Sequence, residues 1–248
     1  MLSTLKNRFE QGYRTSAYPK TTITLPERYR GRPVVSTDAP ADLASQCAAA
    51  CPQKAIDAPA KRIDMGKCVF CGHCERLSKG RVVSFTRDFE IATAHREDLI
   101  TDGSLPKLAD HAKQHFKKLF GRSLQLRQVS AAGCNACEAD LNVLATPFFD
   151  LARFGINFVA SPRHADGIVV TGPISRNMKT ALLQTYDAVA APKVVIAVGS
   201  CTISGGPFFG SPEITEGLDT LLPVDLYIPG CPPHPLTNLH ALLNFFKS

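Results

Sequence analysis

No stretch of the sequence approaches 18 uninterrupted apolar residues, so no single helix is expected to cross a bilayer. The opening MLSTLKNRFEQGYRTSAYPK has neither an apolar signal core nor a twin-arginine pair, and the expected location is the cytoplasm. Zinc-finger spacing is absent, as is any basic motif interleaved with aromatics, which sets nucleic acid aside as a partner. What is present is ordinary globular composition. With 248 residues and 44% apolar content, the chain has room for one substantial α/β core and a small accessory domain. Its charge is uneven: residues 1–130 carry 22 Lys/Arg against 13 Asp/Glu, and residues 131–248 carry 6 against 9. A basic front half suits an acidic partner or an anionic surface, and equally a plain solvated face.

Nine cysteines without a secretory signal point to metal ligation rather than to a disulfide framework, because cytosolic thiols stay reduced. They fall into two groups, 47, 51, 68, 71, 74 and 134, 137, 201, 231. CAAACP at 47–52 and CVFCGHC at 68–74 resemble bacterial ferredoxins, where C-x2-C-x2-C-x3-C-P occurs twice and the fourth cysteine of each run ligates the other run's cluster. Under that rule Cys68, Cys71 and Cys74 take Cys51, followed by Pro52, as their partner, giving one 4Fe-4S site. The other cluster would need cysteines at 41, 44, 47 and 78, where the sequence has Ala41, Ala44, Cys47 and Ser78. That site is expected to be lost, leaving Cys47 as a small buried hydrophobe. Zinc on the same four thiols is the competing reading. It favours paired C-x2-C knuckles across a longer loop, whereas three cysteines at successive three-residue spacing wrap one face of a cuboidal cluster.

Residues 81–100 read as a strand and a short helix. LPKLADHAKQHFKKLFG then places Leu105, Leu108, Ala112, Phe116 and Leu119 on one helical face, ended by Gly121. A connector helix is expected there, and its lysines leave a peripheral membrane role open. From residue 124 strands alternate with helices, predicting a mostly parallel, doubly wound sheet. The expected strands are LQLRQVSA, INFVAS, GIVVTGP, KVVIAVGS and VDLYIPG, with helices over EADLNVLATPFFDLARFG and SRNMKTALLQTYDAVA. Ligands of open parallel sheets gather at the carboxyl ends of strands. Cys134, Cys201 and Cys231 each follow a strand, and Cys137 lies one helical turn beyond Cys134, so a four-thiolate cage is expected. Gly133, Gly199, Gly205, Gly206 and Gly230 would let backbone approach it closely. Glu138 and Asp140 suit a helix's first turn as dipole compensation or as redox neighbours. A thioredoxin-type dithiol would leave Cys201 and Cys231 unexplained, and structural zinc fits four thiols by count.

CNACE, FGINFVASPRHADGIVVTGPISRNM, VVIAVGSCTISGG and VDLYIPGCPPHP together resemble the small cluster-bearing subunit shared by group 4 NiFe hydrogenases, including formate hydrogenlyase, and respiratory complex I. The upstream part resembles the ferredoxin-type subunit of those complexes, fused in front. Residues 1–40, rich in Thr, Arg and Pro, read as an extended arm that wraps a partner or, equally, as a disordered tail. Around the linker helix over 105–123, the resemblance implies a ferredoxin-like α+β domain over 41–104 and a flavodoxin-like proximal-cluster domain over 124–248. It implies two 4Fe-4S clusters, on Cys51, Cys68, Cys71 and Cys74 and on Cys134, Cys137, Cys201 and Cys231, with Arg163 and His164 of SPRHAD tuning the second. The implied partners are a NiFe-type large subunit and further iron–sulfur or membrane subunits at the cytoplasmic face of the inner membrane. Complex I members carry the first two cysteines adjacent while hydrogenases space them, and the spaced form here favours a hydrogenase electron-transfer subunit, not catalytic alone. A complex I-type quinone oxidoreductase subunit and a structural zinc scaffold are the alternatives.

Overall fold

The structure, a computed structural model, describes residues 2–104 and 123–247. The connector helix expected over 105–123 falls outside them, apart from Ser123. Helix α1 (Leu2–Gln11) is exposed and leads to a small α+β unit: β1 (Pro33–Val35), α2 (Ala41–Ala50), β2 (Ile56–Asp57), β3 (Arg62–Asp64), α3 (His73–Ser78), β4 (Val83–Phe85) and β5 (Ile100–Thr101). Strand–helix–strand occurs twice in succession, with α2 packed on α3. β1 pairs antiparallel with β4, and β3 lies between β2 and β5. The unit therefore reaches back to Pro33, ahead of the boundary expected at 41, because among the described residues β4 takes its only strand partner from that earlier segment.

The arm ahead of it is helical at its start and then lies along its own chain. Ser16 N–H donates to Phe148 O at 2.7 Å, the Tyr18 hydroxyl sits 2.5 Å from His240 Nδ1, and Leu25 is buried. Arg30 Nε then reaches Phe70 O at 2.6 Å in the small unit.

The larger unit comprises β6 (Leu124–Ser130), α4 (Ala136–Val143), β7 (Ile156–Phe158), β8 (Gly167–Thr171), β9 (Ile174–Ser175), α5 (Arg176–Ala188), β10 (Val194–Val198), α6 (Ser200–Ser204), β11 (Ile214–Thr215), β12 (Leu226–Ile228) and α7 (Pro235–Lys247). Its sheet runs β7-β6-β8-β10-β12 with every pairing parallel. Numbered along the chain, that is the flavodoxin order 2-1-3-4-5, within the parallel, doubly wound class that the strand–helix alternation predicts. The helix expected over 138–155 stops at Val143 and resumes only as a 3-10 turn over Leu151–Phe154. Pro147 accounts for the break, since it lacks an N–H and disfavours helical backbone at Thr146.

β8 and β10 are buried at every residue, which explains their unbroken apolar runs GIVVT and VVIAV. Alternate side chains feed two cores. Leu126, Val169, Ile196 and Ile228 join Leu239 and Leu242 of α7 in one. Ile168, Val170, Val195 and Ala197 join Leu182 of α5 in the other, which continues into Ile63, Met65 and Leu99 of the small unit. Thr93 and Tyr227 exchange backbone hydrogen bonds of 3.0 and 2.8 Å, so the small unit also covers the sheet edge at β12. The two cysteine groups are thus carried on units that share a core.

Candidate functional site

The sheet gathers the later cysteines at its carboxyl edge. Cys134 follows β6, Cys137 lies in the first turn of α4, Cys201 is the second residue of α6 just after β10, and Cys231 follows β12. The strand order reverses beside β6, and the crevice at such a reversal is where parallel sheets bind ligands. Burial, then the charges of Cys201, Glu138, Cys231 and Cys134, push the Cys137 thiol far up. Burial and the nearby Cys231 and Cys134 raise Cys201 to about 12. Cys137 and Cys201 are buried while Cys134 and Cys231 are exposed, so the group opens on one side. Holding the cysteines here as thiolates calls for a cation, whose charge inverts that balance.

The backbone leaves room around these sulfurs. A Cβ at Gly199, where φ is +88°, would lie 2.7 Å from Cys137 Sγ, and one at Gly206 would lie 2.9 Å from Cys201 Sγ. The other three expected glycines serve packing instead: Gly133 lies against Gly172, Gly205 against Ile214 and Phe209, and Gly230 against Pro233. Glu138 has a larger part than helix-dipole compensation. It is 5% exposed and accepts hydrogen bonds from Ser130 Oγ at 2.5 Å and Thr171 Oγ1 at 2.8 Å. It therefore ties the cysteine-bearing turn to the ends of β6 and β8, a role that no local spacing announces.

In the small unit, Cys51, Cys68, Cys71 and Cys74 line one cavity together with Ile63 and Phe85. Burial, with Cys74, Cys51 and Cys71 close by, raises the Cys68 thiol to about 12. Cys74 rises equally, through burial and then Cys51, Cys47 and Cys71. Amide N–H groups point at the sulfurs, Phe70 to Cys68 at 3.3 Å and Ala55 to Cys51 at 3.4 Å. Each C-x2-C interval contains a residue in the left-handed region, Phe70 at φ +52°, Gly72 at +69° and Asn135 at +68°. For Phe70 and Asn135 that costs on the order of 1–3 kcal/mol, a kind of strain that concentrates at functional sites. Cys47 is fully buried with its S–H 3.7 Å from Cys74 O, beside Ser78. Ala44 and Ser78, two of the positions at which a second ferredoxin cluster would need cysteine, are likewise buried.

The two groups adjoin. Ser200 Oγ donates to Cys68 O at 2.6 Å and also lies 3.1 Å from Gly230 O, and Ser204 Oγ donates to Gly66 O at 2.9 Å. A cavity of about 290 Å³ separates them, with Cys71 on one wall, Cys231 on another, and Arg28, Arg30 and His234 around it. The arginines come from the arm and escape sequence reasoning, because nothing in their spacing ties them to cysteines far along the chain. Among the described residues, no three or more His, Cys, Asp or Glu side chains close around a single ion position.

Arg163 and His164 form an exposed 3-10 turn between β7 and β8. β8 starts level with Leu126 in β6, whereas Cys134 follows the far end of that strand at Ser130. Four residues of strand rise, roughly 13 Å, lie between those levels. The turn that carries Arg163 and His164 leads into the amino end of β8.

Residues 134–245 match the family model described as NADH ubiquinone oxidoreductase, 20 Kd subunit. The probable membrane-bound hydrogenase subunit mbhJ of Pyrococcus furiosus is 37% identical over 144 residues, which are 58% of this chain and 86% of that protein. Formate hydrogenlyase subunit 7 of Escherichia coli is 41% identical over 129 residues, covering 52% of this chain and 51% of its own length. A subunit of the NADH-quinone oxidoreductase of Bacteroides fragilis is 41% identical over 150 residues, 56% of this chain and 76% of that one. A chain of the archaeal membrane-bound sulfane sulfur reductase superposes with a TM-score of 0.45 at 32% identity, covering 53% of this chain and 74% of its own. With thiols collected at the carboxyl edge of a flavodoxin-ordered sheet and relatives matched over most of their length, this chain belongs to the family of the NADH ubiquinone oxidoreductase 20 Kd subunit.

Proposed function

We propose that the chain is the electron-transfer subunit of a membrane-associated NiFe hydrogenase, with one 4Fe-4S cluster on Cys134, Cys137, Cys201 and Cys231 and another on Cys51, Cys68, Cys71 and Cys74. The observation that carries the reading is that three strand ends bring four thiols to one sheet edge beside a second four-thiol cavity. The glycine clearances at 199 and 206 and the N–H groups aimed at Cys51 and Cys68 suit inorganic sulfur close to the backbone. Structural zinc on the same four thiols is the competing occupant, and metal analysis separates the two.

When bound, each cluster supplies a reversible one-electron step. The protein's part is to place those steps. Cys134 and Cys231, on the open side, face the large NiFe-type partner, and exposed Phe208 and Phe209 beyond α6 offer that partner apolar surface. The small unit passes electrons to a further iron–sulfur subunit or a soluble carrier. No helix among the described residues is long and apolar enough to cross a membrane, and attachment at the cytoplasmic face of the inner membrane comes through partners.

A second reading, a component of a quinone oxidoreductase, is favoured by the 41% and 46% identity to subunits of NADH-quinone oxidoreductases. The spaced Cys134 and Cys137 weigh for the hydrogenase. The isolated assembly decides between them. Nickel in the preparation and bleaching of the iron–sulfur absorbance under hydrogen are expected. Absence of nickel with reduction by quinol alone would overturn the choice.

A further inference from the structure

We infer that Ser200 is the coupling residue through which an electron passes between the two cysteine sites, its hydroxyl joining the backbone of Cys68 to that of Cys201. This rests on the reading of both sites as cluster sites.

Ser200 is 1% exposed and immediately precedes Cys201. Its Oγ is 2.6 Å from the carbonyl of Cys68, a ligand in the small unit, and 3.1 Å from the carbonyl of Gly230, which precedes Cys231. The single hydroxyl proton goes to the nearer acceptor, Cys68 O. Gly230 O is already satisfied by the Ser200 amide at 2.8 Å. A path from Cys68 Sγ through its carbonyl and Ser200 to Cys201 Sγ is therefore covalent except at that one hydrogen bond. One electron moves along it: the site it leaves is oxidised by one unit, the site it enters is reduced by one, and no bond or proton changes hands at Ser200.

The structure supplies its own control. Ser204, one turn later on α6, makes a similar bond to Gly66 O at 2.9 Å in the same loop, but neither residue is a cysteine or adjoins one in sequence. Both hydroxyls hold the Gly66–Cys68 loop to α6, where a Cβ at Gly66 would lie 2.8 Å from Ile203 Cγ2. Of the two, only Ser200 joins two ligand backbones. A purely structural clasp predicts equal effects from losing either hydroxyl, whereas a route predicts unequal ones.

The test uses the full chain loaded anaerobically with iron and sulfide, as wild type, Ser200→Ala and Ser204→Ala. Iron content is measured first. About eight irons in all three validates the comparison, and a wild type that takes up no second cluster refutes the functional reading itself. With both sites filled, the fully reduced protein is examined by electron paramagnetic resonance for magnetic interaction between the sites. Intramolecular electron transfer is followed after pulsed one-electron reduction. Ser200→Ala is expected to weaken the interaction and slow the transfer several-fold, with Ser204→Ala close to wild type. Equal behaviour of the two variants, or an unchanged Ser200→Ala, overturns the inference while leaving the cluster assignment standing. If Ser200→Ala fails to hold its clusters, Ser200→Thr, which keeps the hydroxyl, must restore the wild-type signal; failure to do so also overturns it.

Discussion

A methyl group at position 199 would meet Cys137 Sγ at 2.7 Å and would have to adopt φ +88°, where non-glycine backbone is strained. Gly199→Ala is therefore expected to cost the sheet-edge site its cluster while sparing the small unit, so that iron falls from about eight to about four per chain. Retention of full iron content would show that the clearance is not needed. Glu138 makes a different kind of demand. Glu138→Ala leaves the Ser130 hydroxyl without its acceptor beside Cys137 and Thr171 with only the longer bond of 3.3 Å to Val129 O, and a loss of ~1–3 kcal/mol in unfolding free energy is expected by denaturant titration. The cysteines themselves are legible in the sequence because crossing ligation and strand-end placement are rules of spacing. Glu138 and the Arg28–Arg30 pair are not, since their partners lie in segments that only folding brings together.

At the scale of elements, the strand pattern carries the fold. Runs such as VVIAV and GIVVT are buried on both faces, and their order along the chain implies a parallel sheet with one functional edge. The failures have equally physical causes. β1 escapes sequence reasoning because three residues, PVV, have no local signature and gain strand identity only by pairing with β4. The part given to Arg163 and His164, in the turn between β7 and β8, rests on resemblance alone. The turn after α6 offers a test at this scale. Phe208 and Phe209 are 45% and 52% exposed next to Gly206, which adjoins Cys201. A Phe208→Ser, Phe209→Ser double variant should keep its iron but co-purify poorly with the large subunit. Undiminished association would remove this surface from the interface.

At the scale of the molecule, the arm and the shared core make one body of two cysteine-bearing units. Tyr18 and Leu25 belong to the core around α7, Arg30 reaches the cysteine loop of the small unit, and the second core runs from the sheet into Ile63 and Met65. The separation of the two thiol groups is therefore fixed by packing and by the serines of α6, not left to a linker. That rigidity matters only if both groups hold redox-active metal. Quantitative iron, acid-labile sulfide and zinc analysis of the anaerobically purified full-length chain tests this most directly. About eight irons and eight sulfides per chain with negligible zinc are predicted; a colourless protein with zinc in place of iron would contradict the account.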